Sequence, residues 1–251
     1  MCPAFHFTWL SSLLFVLTGA LLGSLGGGGS LLALPIFLVA LNVPHDLAVP
    51  ATAAVVGFAA LSGAWDAWQD KQLDLRTLMR FSIPAIILSA IGSLVSSRIP
   101  GGILHWTFTA ILLYAGIRMI FPTGKKADDE NRPANPARLA GAGAGTGLLM
   151  GLFGVGGGFI ATPALVLEGG LSAAAAIPVA LGAIALSAAA SLAVQIPSGT
   201  FRWTLVAPAL VATIVGMEMG RGISRRVPQN WLRRGMGILV LIAAAVLVAK
   251  H

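Results

Sequence analysis

The sequence predicts an all-α polytopic membrane protein. It reads as two inverted repeats of about five membrane segments each, with a broken or re-entrant helix at a Gly-rich motif in each repeat. Three observations predict this. The first is composition: of 251 residues, 57% belong to the apolar set AVILMFWYC and only 10% are Asp, Glu, Lys or Arg, and the mean hydropathy is +0.87. A soluble domain carries about 25% charged residues, so this chain lacks the polar surface to cover a water-soluble globule. The second is a series of long uncharged runs separated by short charged ones. The third is that the chain matches itself at an offset of 128 residues.

These properties exclude several classes. A cytosolic enzyme or a disordered regulator would be far more polar. A disulfide scaffold is excluded because Cys2 is the sole cysteine. The formal charge of +7 is no sign of nucleic-acid binding, because the 16 Lys and Arg lie between apolar runs and form no stripe. In a membrane protein such an excess sets orientation. No Lys or Arg precedes Lys71, so the basic n-region of a signal peptide is missing.

The elements follow in order. Thr8–Leu41 is uncharged over 34 residues and interrupted by Gly26-Gly27-Gly28-Gly29. As one helix it would reach about 51 Å, against a hydrocarbon core of about 30 Å. Two passes fit better: Thr8–Leu25, then a half-helix or re-entrant piece over Ser30–Leu41. Leu47–Trp65, Thr77–Ser97 and Gly102–Phe121 follow. Pro122–Pro136 reads PTGKKADDENRPANP, with charge, Pro and Asn but no apolar periodicity, and is a linker. The pattern then restarts with Leu139–Leu167, broken at Gly154-Val155-Gly156-Gly157-Gly158. Leu171–Pro197, Trp203–Met217 and Gly235–Ala249 complete it. The division is therefore a first membrane repeat over 1–121, a cytoplasmic linker over 122–137 and a second repeat over 138–251. The six Trp lie mostly near segment ends, as an interfacial aromatic belt would.

The internal match supports duplication. Gly19, Gly23, Gly26, Gly28 and Gly29 fall on Gly147, Gly151, Gly154, Gly156 and Gly157. Pro35, Pro50 and Pro100 fall on Pro163, Pro178 and Pro228, and Arg98 on Arg226. Duplicated halves are the usual architecture of secondary transporters. Loop charge orients them. With five segments per half, 13 Lys and Arg lie on one side and Arg98, Arg202 and Lys250 on the other. Equivalent loops carry opposite bias, as inverted halves require. The linker is then cytoplasmic and both termini lie outside.

The glycine clusters are the candidate site. Each precedes a short apolar helix broken by Pro35 or Pro163. Glycine permits positive φ and close approach of backbone to a ligand. The helix that follows exposes unpaired N–H groups with partial positive charge, which bind anions without any formal charge. Close helix packing is the competing reading, since small residues let membrane helices approach. No Lys-Ser/Thr follows either cluster, so neither is a P-loop. Asp46 or Ser172 caps the next helix, whose first turns hold Pro50 or Pro178. Thr52 lies just beyond and offers a hydroxyl either to an anion or back to its own helix. His45 can titrate near neutral pH and is a candidate for coupling. The segments contain no chain of carboxylates for a proton relay, no metal site and no cofactor motif.

The motifs Gly26–Ser30 with Pro35, Pro44-His45-Asp46-Leu47-Ala48-Val49 with Thr52, and Gly154–Gly158 with Pro163 resemble the TauE/SafE sulfite-exporter family. The resemblance covers nearly the whole chain. It implies a permease of the bacterial inner membrane that moves small anions such as sulfite, sulfonates and other organosulfur compounds. On that reading the substrate is held by Gly26, Gly27, Gly28, Gly29, Ser30, Thr52, Gly154, Gly156, Gly157 and Gly158. The partners expected are the small anion, the lipid bilayer and a coupling ion, H+ or Na+; a homodimer stays open, and nucleic acid is not expected. A passive anion channel and a non-transporting membrane scaffold remain the alternatives. An intramembrane enzyme is not expected, because Gly23-Ser24 lacks the context of a nucleophile and the His residues lie near segment ends.

Overall fold

The computed structural model describes residues 9–25, 29–96, 98–120, 136–155, 158–167, 169–198, 201–224 and 229–249. Among these residues every regular element is helical: α1 (Trp9–Leu25), α2 (Ser30–Pro35), α3 (His45–Gln69), α4 (Leu75–Ser96), α5 (Gly101–Ile120), α6 (Pro136–Phe153), α7 (Gly158–Leu167), α8 (Ala173–Gln195), α9 (Trp203–Ser224) and α10 (Gln229–Ala249). Four of them, α3, α4, α8 and α9, contain stretches long and apolar enough to cross a membrane; α1, α5 and α10 are apolar over shorter stretches.

The faces of these helices are arranged for lipid. On α4 the outward stripe is Met79, Ile83, Ile87, Ile91 and Leu94, while Ser82, Ala85, Ser89, Gly92 and Ser93 are buried. On α10 the outward stripe is Ile238, Ile242 and Val246. Large apolar side chains outside and small or hydroxylated ones inside invert the pattern of a soluble helix. Trp9, Trp65, Trp68, Trp106 and Trp203 are exposed and stand at or within a few residues of helix ends, where an amphipathic ring meets headgroups.

The uncharged stretches divide as their length requires. α1 ends at Leu25, and α2 runs on into a π-helical turn, Ile36–Ala40. Pro35 has no N–H to give its own turn, and the wider turn begins at the next residue, with Leu41 N–H donating to Ile36 O at 3.1 Å. The second break falls between α6 and α7, and α7 is only ten residues, about 15 Å. Ser172 is the N-cap of α8, accepting from Ala175 N–H at 3.3 Å. In α3 the helix starts at His45 behind Pro44, so Asp46 sits inside the first turn, where its charge favours the helix dipole.

Packing follows glycine. A methyl added at Gly19 or Gly23 of α1 would overlap the carbonyls of Thr213 or Met217 of α9, and one at Gly220 would overlap that of Ala20. A methyl at Gly143, Gly147 or Gly151 of α6 would overlap the carbonyls of Phe81, Ala85 or Ser89 of α4. These two backbone-on-backbone ladders correspond residue by residue. Gly19 on Thr213 and Gly23 on Met217 become Gly147 on Ala85 and Gly151 on Ser89 at the 128-residue offset.

The same contacts give directions. The α6–α4 and α1–α9 pairs rise in step, so each pair runs parallel. Ser89 bonds Ser187 O and Ser93 meets Ser191, so α4 and α8 are also parallel. By contrast, Gly116 meets Gly237 and Leu241 while His105 meets Leu247, so α5 and α10 are antiparallel. Gly154 abuts Val49 beside the C-terminal end of α8, and Gly57 meets Ala188 further back. α3 and α8 therefore run in opposite directions. α8 packs against both α3 and α4, and α3 packs against both α8 and α9.

Candidate functional site

The second break meets α3. Gly154 has φ +66, a left-handed conformation that glycine adopts without strain. Its N–H closes α6 by donating to Met150 O at 2.8 Å. A methyl here would overlap the carbonyl of Val49 and lie 3.1 Å from Ala53 N. Two demands thus converge on Gly154: a left-handed backbone and contact with the α3 turn that carries Thr52. Gly158 is buried and opens α7. Gly156 and Gly157 lie outside the described residues, as do Gly26, Gly27 and Gly28.

Thr52 is fully buried, and its hydroxyl has no hydrogen-bond partner. That departs from the other threonines of the bundle. Thr18, Thr109 and Thr213 each donate to the carbonyl four residues earlier, at 2.9, 2.8 and 2.8 Å. Thr52 has the same option on Ala48 and does not take it. A buried hydroxyl without a partner loses its hydration with no return. Pro50, two residues before, also has no N–H for the Asp46 carbonyl. The start of α3 is therefore locally short of hydrogen bonds, beside a helix break.

His45 lies seven residues before Thr52, on the same face of α3, and its Nε2 is buried without a partner. It packs beside Gly101 at the start of α5. His105, one turn into α5, has its Nε2 3.3 Å from Leu247 O of α10.

The first break is built differently at its described end. Gly29 is right-handed (φ −58) and caps α2, and a methyl there would overlap Thr18 O of α1. Its glycine is required by close packing against α1. Ser30 is fully buried as the first residue of α2. Pro163 and Pro178 lie inside α7 and α8, as Pro35 and Pro50 lie inside α2 and α3. The 128-residue equivalents of Thr52 and Ala53 are Ala180 and Leu181, so no second hydroxyl stands at that position.

A polar cluster that the sequence reading did not single out borders the second break. Ser93 and Ser96 of α4 donate to Gly151 O (3.3 Å) and Leu152 O (2.9 Å), carbonyls of the last turn of α6. Those carbonyls have no intrahelical partner once the helix ends. Ser191 Oγ lies 2.7 Å from Ser93 Oγ, and Gln195 Nε2 donates to both, at 2.6 and 3.2 Å. The signal was present as Ser89, Ser93 and Ser96 at i, i+4 and i+7, but a serine stripe on an apolar helix does not reveal what it faces.

Beside the second break the described residues present one hydroxyl without a partner, that of Thr52, and the unpartnered His45 Nε2 on the same face of α3. Among the described residues no three His, Cys, Asp or Glu gather as metal ligands. Such a set can hold a small anion without burying a lysine or arginine, whose desolvation would be costly.

Known proteins give the same frame. The family model "Sulfite exporter TauE/SafE" matches residues 11–247. Two proteins of Xylella fastidiosa, each named "Probable membrane transporter protein", are 26% and 27% identical, covering 92% of this chain and 91% of their own length. The "Probable membrane transporter protein YdhB" of Bacillus subtilis is 22% identical, covering 94% of this chain and 98% of its own. No solved structure matches the chain. With a match across nearly its full length, an all-helical body and apolar outward faces, the chain belongs to the sulfite exporter TauE/SafE family of membrane transporters.

Proposed function

We propose that this protein is a secondary transporter of small sulfur-containing oxyanions, sulfite or a sulfonate first among them, working by alternating access. One observation carries the reading: the buried Thr52 hydroxyl without a partner, on the α3 turn that Gly154 abuts. A sulfite oxygen would accept from that hydroxyl and from the N–H groups at the start of α7. Gly156, Gly157 and Gly158 would let the backbone approach the anion. The first-half residues Gly26, Gly27, Gly28, Gly29 and Ser30 would supply the opposite wall. Weak, uncharged donors also permit release, which a transporter needs. His45, on the face of Thr52, is the candidate for coupling to H+; Na+ is the other coupling ion considered.

Several facts support inverted halves. The equivalent helices α3 and α8 are antiparallel, as are α5 and α10. The glycine ladders correspond at the 128-residue offset. The loop charges divide 13 to 3 in the five-segment scheme. On this reading the linker 122–137 would face the cytoplasm of a bacterial inner-membrane protein, between repeats 1–121 and 138–251.

Counterflow in liposomes tests the function. Vesicles preloaded with unlabelled sulfite should accumulate radiolabelled sulfite transiently, as exchange through alternating states requires. Equilibration without overshoot would make the protein a channel, and no movement of any oxyanion offered would leave a scaffold.

A further inference from the structure

Alternating access needs two bodies that move against each other. The natural assumption is that they are the sequence halves. The packing points elsewhere. Among the described residues the contacts that repeat backbone on backbone over several turns cross between the halves: α4 of the first lies on α6 of the second, and α9 of the second on α1 of the first. In each ladder the glycines let carbonyl meet Cα over several turns, and sliding by a fraction of a turn would drive backbone into backbone.

Hydrogen bonds reinforce the same grouping. Ser93 and Ser96 tie α4 to α6, while Ser89 and Ser93 tie α4 to α8. On the other side Ser62 of α3 lies 3.7 Å from Met217 Sδ of α9. Each half-helix stays with its neighbours: Gly29 presses α2 onto α1, and α7 shares with α4 and α8 the core of Leu78, Ala161, Leu165 and Val179.

We propose that the moving bodies are two exchanged sets: α1, α2, α3 and α9 against α6, α7, α8 and α4. The 128-residue correspondence converts one set into the other, since α4 is the equivalent of α9. The seam between them is α3 against α8, which meet at isolated points rather than along a repeating ladder: Gly57 on the methyl of Ala188, and Gly154 on the Val49 carbonyl. Thr52 and Gly154 therefore lie on the seam, one on each body. The antiparallel α5 and α10 pair with each other outside both sets. The proposal rests on the transporter reading above.

A cross-link separates the two assignments. In a Cys2→Ser background, Ser93→Cys with Ser191→Cys places two thiols where the hydroxyls stand 2.7 Å apart, close to the roughly 2 Å of a disulfide. The bond joins the first half to the second but stays within one exchanged set. Oxidised and reduced protein should show equal counterflow of radiolabelled sulfite. Loss on oxidation that returns on reduction would overturn the proposal, because the sequence halves would then be what moves. Ser62→Cys with Met217→Cys repeats the test in the other set, should the first pair fail to fold.

If the Cys2→Ser parent moves none of the oxyanions offered, the transporter reading fails on its own, and spin labels still test the bodies. Labels at Ile91 and Leu148, across α4 and α6, should give one narrow distance with and without sulfite. Labels at Leu61 and Ile87, on α3 and α4, should give a broad or divided one. The reverse pattern would restore the sequence halves as the bodies.

Discussion

At the scale of single residues, Thr52 and Gly154 make opposite predictions for stability and binding. Thr52→Val keeps the volume and removes a hydroxyl that has no partner. The melting temperature should hold or rise, since an orphaned polar group is gone. Sulfite affinity should fall by about ten- to a hundred-fold, the worth of one hydrogen bond to a charged group, while Thr52→Ser retains it. Unchanged affinity in a well-folded Thr52→Val protein would remove the residue from the site. Gly154→Ala faces φ +66 and the Val49 carbonyl together. A strained backbone position costs roughly 1–3 kcal/mol, so thermal unfolding in detergent should move clearly downward. Gly145→Ala is the contrast: it is exposed on α6 with nothing within 4 Å. A right-handed helix gains about 0.5–1 kcal/mol from that change. The sequence presents both as glycines of similar context, and only backbone conformation and neighbours tell them apart.

At the scale of elements, helix ends hold much of the local order. Asp74 caps α4: its carboxylate accepts from Arg76 N–H at 3.0 Å and from the Thr77 hydroxyl at 2.5 Å. The Thr77 bond is the main reason its carboxyl titrates below the usual value, and the Arg76 N–H bond acts in the same direction. A depressed folded-state value means that the cap stabilises fully above the unfolded-state titration. The contribution is then lost as pH falls through the folded one. Asp74→Ala should cost about 1 kcal/mol near neutral pH, the usual worth of an N-cap. The difference from the parent should shrink as unfolding is measured toward pH 3, and a gap that stays constant across that range would assign the loss to something other than the carboxylate. Breaks were legible because a run of 34 uncharged residues exceeds one membrane crossing. The π turn after Pro35 was not, since a proline states which N–H is missing but not how the next turn widens.

At the scale of the whole molecule, orientation is the prediction to check. The proposed five-segment scheme puts the loop after α3 and the loop before α5 on opposite sides of the membrane. A cysteine at Gln69 should be protected from an impermeant thiol reagent in intact cells, and one at Gly101 should react. Equal behaviour of the two would mean that α4 does not cross the membrane, which would reject the five-segment scheme. Arg98 is exposed beside that second loop, so Arg98→Lys, which keeps the charge, should leave the pattern unchanged.

Composition, uncharged run lengths and the self-match were enough to determine an all-helical membrane body with two glycine-broken stretches and a family resemblance. Each is a property of the chain in one dimension. The bilayer turns hydropathy directly into segments, and duplication preserves spacing. Which helices touch was not in that information. A glycine that lies on a carbonyl of another helix looks the same in sequence as one facing lipid, and a serine that caps a broken helix looks the same as one bonded to its own. Only the tertiary structure brought Gly154 to the turn of Thr52, set Ser93 against Ser191, and paired α4 with α6 and α1 with α9. Those contacts join residues far apart in the chain, and their geometry depends on where backbone meets backbone, which no local pattern of residue types encodes.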